Sequence, residues 1–113
     1  MSTMNSDLAA LAALDCRADA PRLSDDELAK RQRALSGWDY ADARLTKTFR
    51  FGNYYETMAF VNAAAWVSHR EDHHPDLEVG YNRCRVRYST HSVGGLSEND
   101  FICAAKLEAL QGL

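Results

Sequence analysis

Residues 54–72 constrain the fold more than any other stretch of the chain. Asn53 stands where a helix cap belongs, with Glu56 three residues on, and Gly52 breaks whatever precedes it. From Tyr54 to about Asp72 no residue interrupts a helix, and Pro75 disfavours helical geometry at His74 and ends it there. Met, Phe, Val, Ala and Trp cover a broad arc of this helix, broader than one amphipathic face requires. It is therefore expected at the centre of the fold, with Phe60 and Trp66 in the core rather than on a cofactor platform.

Alternating segments flank it on both sides. Trp38 to Tyr40 reads as a short strand, and Leu45, Phe49 and Phe51 alternate with Thr46, Thr48 and Arg50 as a half-buried one. The pair implies a hairpin turning near Ala41 to Arg44. After Pro75, Leu77, Val79 and Tyr81 form a third strand, with a turn near Asn82 and Arg83. Cys84, Val86 and Tyr88 then face one way, and Arg85, Arg87 and Ser89 the other. Two further helices carry their own start signals. Ser24 with Glu27 is a capping box, stapled by Leu23 and Leu28, for a helix running to about Leu35 before Gly37. Ser97 with Asp100 caps a last helix to about Gln111. The order α-β-β-α-β-β-α predicts a single α+β domain: a four-stranded antiparallel sheet with three helices packed on one face. Residues 1–20 show no strong periodicity and read as a flexible or weakly helical tail ahead of a domain spanning 21–113.

Composition removes several classes of function. With 46% hydrophobic and 26% charged residues, the chain can build a core, and disorder is not expected. Thirteen basic against 16 acidic residues give a net charge of -3, which argues against binding nucleic acid through its phosphates. No apolar run approaches the ~20 residues of a membrane-spanning helix, and the alanine-rich start lacks the basic region of a secretory signal. Cys16, Cys84 and Cys103 are widely spaced and odd in number, as expected of free thiols in a reducing cytoplasm.

All four histidines fall between positions 69 and 91. On a helix His69 and His73 share one side, being four apart. Pro75 turns His74 elsewhere, and His91 follows the fourth strand at the mouth of a Gly94-Gly95 loop. Imidazole suits proton transfer near neutral pH. Two imidazoles at a helix end and a third at a strand end can surround one small substrate. Two plainer readings stand beside this one: surface and capping residues, or a metal site built on the i, i+4 pair. The metal reading lacks an H-E-x-x-H motif and any cysteine with zinc-ligand spacing. Arg83, Arg85 and Arg87 form a basic stripe, ordinarily the solvated face of a sheet, or else a recognition surface for an anionic or carbonyl-rich ligand.

His73-His74-Pro75, followed by Ser89-Thr90-His91 and Gly94-Gly95-Leu96-Ser97, resembles the pterin-4a-carbinolamine dehydratase family. The spacing carries the likeness: His69, three residues, His73-His74-Pro75, five residues, Tyr81, nine residues, His91, eight residues, Asp100. Leu23-Ser24 and Trp38 match the family's usual opening, and the likeness extends over roughly residues 21–111. Three positions depart from it. Many members are acidic where this chain has His69, carry a tryptophan where Leu77 stands, and are acidic at Ser92.

The resemblance implies a hydro-lyase that removes water from 4a-hydroxytetrahydropterin to give quinonoid dihydropterin, in recycling of the tetrahydrobiopterin used for aromatic amino acid hydroxylation. It implies acid/base roles for His73 and His91, with His74 contacting the pterin or its hydroxyl. Asp100 would orient a histidine or fix its tautomer, His69 would be auxiliary, and Ser89 and Thr90 would meet the pterin edge. No metal or organic cofactor is implied. The family also suggests two other roles: a dimeric transcription-cofactor-like binding module, and a dehydratase-like protein of molybdopterin metabolism. A homo-oligomer, dimer or tetramer, is expected through the last helix. There Phe101, Ala105 and Ala109 make one apolar stripe and Cys103, Leu107 and Leu110 another, unless the N-terminal tail covers the second.

Overall fold

A computed structural model describes residues 6–110. Four helices, α1 (Ser6–Ala12), α2 (Asp25–Gln32), α3 (Tyr54–Glu71) and α4 (Glu98–Glu108), accompany four strands, β1 (Asp39–Ala41), β2 (Arg44–Arg50), β3 (Asp76–Val79) and β4 (Arg83–Tyr88). The strands form one antiparallel sheet in the order β1-β2-β4-β3. This is the expected α+β architecture with one helix more than expected, because the N-terminal segment contributes α1.

Register follows from the turns and the pleat. Ala41 pairs with Arg44, so Asp42 and Ala43 make a two-residue turn, both with positive φ (53° and 61°). That is the twist a tight hairpin needs, reached here without glycine. Leu45 faces Tyr88 across the central pair, and Arg50 faces Arg83. Cys84, Val86 and Tyr88 are fully buried, so the alternation in β4 holds as expected. The arginines lie on the opposite face, where Arg87 donates to Glu78 Oε2 at 2.9 Å. The third strand stops at Val79, short of Tyr81. Gly80 N–H closes on the Arg83 carbonyl at 2.8 Å, which makes Tyr81 part of the turn and leaves it exposed.

Helix α3 buries only Thr57, Phe60, Ala64 and Val67, spaced 3, 4 and 3 apart. That is a single stripe and not a broad arc. Phe60 joins the core beside Phe49, ring centroids 4.6 Å apart. Trp66 does not: it is 60% exposed, with the Arg70 guanidinium over its ring. One side of the helix meets the sheet and α4, and the alanines and tryptophan beyond that stripe face outward. Helix α2 ends at Gln32 rather than Leu35. Ala34 and Leu35 donate to carbonyls three residues back, and this tightened turn drives Leu35 into the core.

Both expected capping boxes are complete, at Ser24 and at Ser97. Helix α4 is buried at every residue from Asn99 to Ala105, because it packs against α3 and also against α1. Leu11 is buried there, and Lys106 Nζ donates to the Ala12 carbonyl at 2.7 Å. Asn99 clasps the backbone of Arg17, accepting from its N–H at 3.1 Å and donating to its carbonyl at 2.7 Å. Cys103 and Leu107, on the stripe for which a second copy was expected, are thus covered within one chain. The expected end of this helix, Gln111, lies outside the described residues. No helix among the described residues is long and apolar enough to cross a membrane.

Candidate active site

The end of α3 places His73. Asp72 takes the left-handed conformation (φ 52°), and the N–H groups of Asp72 and His73 both return to the Ser68 carbonyl. The helix therefore closes one residue before His73, ahead of the break that Pro75 alone would impose. As a result His73 does not share a helix face with His69, which stays exposed on the last turn of α3. His74 is exposed beyond the turn.

His73 swings inward. Its ring lies parallel to that of Tyr88, centroids 5.8 Å apart and planes 10° off, and its side chain is 13% exposed. Its Nε2 is 2.7 Å from Oδ1 of Asp100, which is completely buried. A carboxylate can only accept, so this contact puts a proton on Nε2 and leaves Nδ1 as the nitrogen free to address a ligand. The other carboxylate oxygen of Asp100 accepts from Thr90 Oγ1 at 2.6 Å and from Ser97 N–H at 3.0 Å. Because Thr90 spends its single hydroxyl hydrogen on Asp100, the 2.8 Å contact between Thr90 Oγ1 and Ser97 Oγ has Ser97 as donor. A fully partnered buried network of this kind holds one geometry.

Thr90 also anchors the loop that carries His91. Its N–H bonds the Gly95 carbonyl at 2.9 Å, and Gly94 takes φ 65°, so residues 91–95 form a closed loop after β4. A Cβ at Gly95 would meet the Arg22 side chain, with Nε at 2.9 Å, and the exposed arginine would have to move aside. A cavity of about 180 Å³ opens beside the loop, bounded by Ser89, Thr90, His91 and the two glycines, and by Asp42, Ala43 and Arg44 of the β1–β2 turn. His91 is exposed at its rim. Hydrogen bonds join His73, Asp100 and Thr90, while Ser89 and His91, the chain neighbours of Thr90, line the cavity and His73 is not among its lining residues. The structure leaves His69 and His74 exposed, without side-chain hydrogen bonds or ion pairs among the described residues. No group of three histidine, cysteine or acidic residues among the described ones is placed to hold a metal ion.

Sequence reasoning missed three contributors. Tyr88 reads as an inward strand residue, and only its stacking on His73 gives it a place at the site. Its phenol is buried, and burial, with Cys103, Cys16 and Asp100 nearby, pushes its pKa well above the ordinary range. Ser97 was visible as a helix cap, but its hydroxyl also steadies Thr90. Arg44 gave no sequence signal, because it reaches the cavity only through the hairpin register.

The family profile described as Pterin 4 alpha carbinolamine dehydratase matches residues 21–110. The chain belongs to the pterin-4a-carbinolamine dehydratase family. Proteins of Nitrosospira multiformis and Nitrosomonas eutropha, both carrying the provisional name pterin-4-alpha-carbinolamine dehydratase, are similar to it at 56% and 58% identity. The first alignment covers 97% of both chains; the second covers 92% of this chain and 93% of the relative. Among solved structures, the transcriptional coactivator/pterin dehydratase of Brucella melitensis superposes with a TM-score of 0.77 at 35% identity, over 80% of this chain and 99% of that one. A pterin dehydratase-like protein identified as a RuBisCO assembly factor of the alpha-carboxysome superposes with a TM-score of 0.56 at 28% identity, over 66% and 87%.

Proposed function

We propose that the protein is a 4a-hydroxytetrahydropterin dehydratase that works by histidine acid/base catalysis. The observation that carries this reading is His73 held by a buried, fully hydrogen-bonded Asp100, one threonine away from His91. The reaction breaks the C4a–O bond as the hydroxyl takes a proton and leaves as water, while a ring N–H gives up its proton. An acid and a base are enough, each worth ~10²–10⁴-fold.

The residues support a division of labour. With Nε2–H engaged by Asp100, His73 accepts the ring proton on Nδ1, and the Asp100 carboxylate stabilises the imidazolium that forms. His91, at the rim of the cavity, delivers the proton to the departing hydroxyl. His74 contacts the pterin from the strand side of the turn, and Ser89 and Thr90 offer backbone groups to its edge. His69 has an auxiliary role. Return of the product to the tetrahydrobiopterin pool, a cytoplasmic location and a homo-oligomeric state belong to the same proposal.

The test is loss of 4a-hydroxytetrahydropterin, generated in place and followed by ultraviolet absorbance. The chain should speed it in proportion to protein added, and His73→Ala should not. The similarity to the transcriptional coactivator/pterin dehydratase of Brucella melitensis supports a second reading, a binding module. That reading takes over if wild-type protein gives no acceleration.

A further inference from the structure

Cys16 and Cys103 lie 87 residues apart in sequence, and their sulfurs are 3.4 Å apart. Neither is in a disulfide. The segment carrying Cys16 is pinned on both sides of the thiol. Cys16 N–H donates to Glu71 Oε1 at 2.8 Å, and Arg17 is clasped by Asn99. The Cys16 thiol also points at the Asn99 carbonyl, 3.7 Å away. Cys103 sits in the middle of α4 with no exposed surface, whereas Cys16 is partly open to solvent. Two thiols held this close need only a small side-chain adjustment to reach a bonded S–S length of ~2.05 Å.

We propose that Cys16 and Cys103 form a dithiol site that hydroperoxides close into an intramolecular disulfide, locking the N-terminal segment onto α4. Cys16 is the entry point because it is the accessible member. Its hydrogen bond with Cys16 and its burial keep the Cys103 thiol protonated far above the ordinary thiol range. The Cys16 thiolate attacks hydrogen peroxide, the O–O bond breaks, and Cys16 sulfenic acid forms with release of hydroxide, which takes up the proton that the thiol lost. The Cys103 sulfur then displaces the sulfenic oxygen, the S–S bond forms, and the second water carries away the Cys103 proton. In sum, two thiols and one peroxide give one disulfide and two waters. A dithiol reductant reverses the change. The pair should close whether or not the chain turns over a pterin.

The bond would also reach the histidine site from behind. The Cys103 sulfur is 4.0 Å from the His73 carbonyl, and Cys103 is a close neighbour of Tyr88.

The test uses the full chain with a small excess of hydrogen peroxide. Free thiols should fall from three to one, leaving Cys84, with Cys16 and Cys103 joined in a non-reducing peptide map. Because the bond closes a long loop, the melting temperature should rise by about 10 °C and return with dithiothreitol. Cys16→Ser, at a half-exposed position, should fold normally and show neither the cross-link nor the rise. Three outcomes would overturn the proposal: Cys16 oxidised to sulfinic acid beside a free Cys103, a disulfide joining Cys16 of two chains, or three thiols surviving saturating peroxide.

Discussion

Replacing Asp100 by Asn should abolish most turnover while leaving the fold nearly intact, and the hydrogen-bond network explains why. One carboxylate oxygen accepts from both Thr90 and Ser97 N–H, and the other faces His73 Nε2. An asparagine amide keeps all three contacts only if its oxygen faces Thr90 and Ser97 and its NH₂ faces His73. Nε2 must then accept, which moves the imidazole proton to Nδ1 and removes the lone pair that the base needs. The capping bond to Ser97 survives, so the stability loss is about 1 kcal/mol, the difference between a charge-assisted and a neutral hydrogen bond. For a chain of 113 residues that is a fall of roughly 4 °C in melting temperature. The rate should fall by at least ~10²-fold, or about 2.7 kcal/mol in the barrier, mostly in kcat. Steady-state turnover, thermal melts and nitrogen NMR of the His73 ring would measure the three effects. Asp100→Asn with kcat within threefold of wild type and a native melt would refute the tautomer argument.

Other perturbations should separate the parts of the account. His73→Ala and His91→Ala should each lower turnover by ~10²–10⁴-fold with near-normal melting, and the double variant should lose little more than either. His69→Ala, at an exposed position with no partner among the described residues, should retain most activity in the same assay. Leu11→Ala should loosen α1 from α4 and destabilise by about 2 kcal/mol, at the low end for a buried leucine, read as a lower denaturant midpoint. Burial pushes the Cys84 thiol from 9.0 up to about 11, so the unfolded chain loses this proton first as pH rises. Stability should therefore decline between pH 9 and 11, and Cys84→Val should flatten that part of the curve in pH-dependent melts.

The strands, the two capping boxes and the α+β class were legible because local rules decide them: β4 alternates, and Ser24 and Ser97 each have an acidic partner three residues on. The width of the α3 core stripe was not legible. Alanine and tryptophan fit a buried or an open helix face equally, and only the neighbouring elements decide that Trp66 stays outside. The end of α3 lies where expected, close to Asp72, but the geometry of that end was not legible. Pro75 marks the latest possible stop, but the left-handed turn at Asp72 comes first and separates His73 from His69. At the site, the residue types were visible and the wiring was not. The bond from His73 to Asp100 spans 27 residues, and Tyr88 enters only when β4 and the turn after α3 are brought face to face. Helix α1 was legible only as a flexible or weakly helical tail, because seven residues carry too little periodicity and its single buried leucine matters only against α4.

The most direct test of the central claim is a structure of the chain with 7,8-dihydropterin bound. One ring system should occupy the cavity beside Ser89, Thr90 and His91, with His73 Nδ1 and the His91 imidazole both within hydrogen-bond reach, about 3 Å, of the C4a edge or its neighbouring nitrogen. A pterin seated elsewhere, or one that contacts His91 while His73 remains out of reach behind Thr90, would contradict a single site in which these two histidines share the proton transfers.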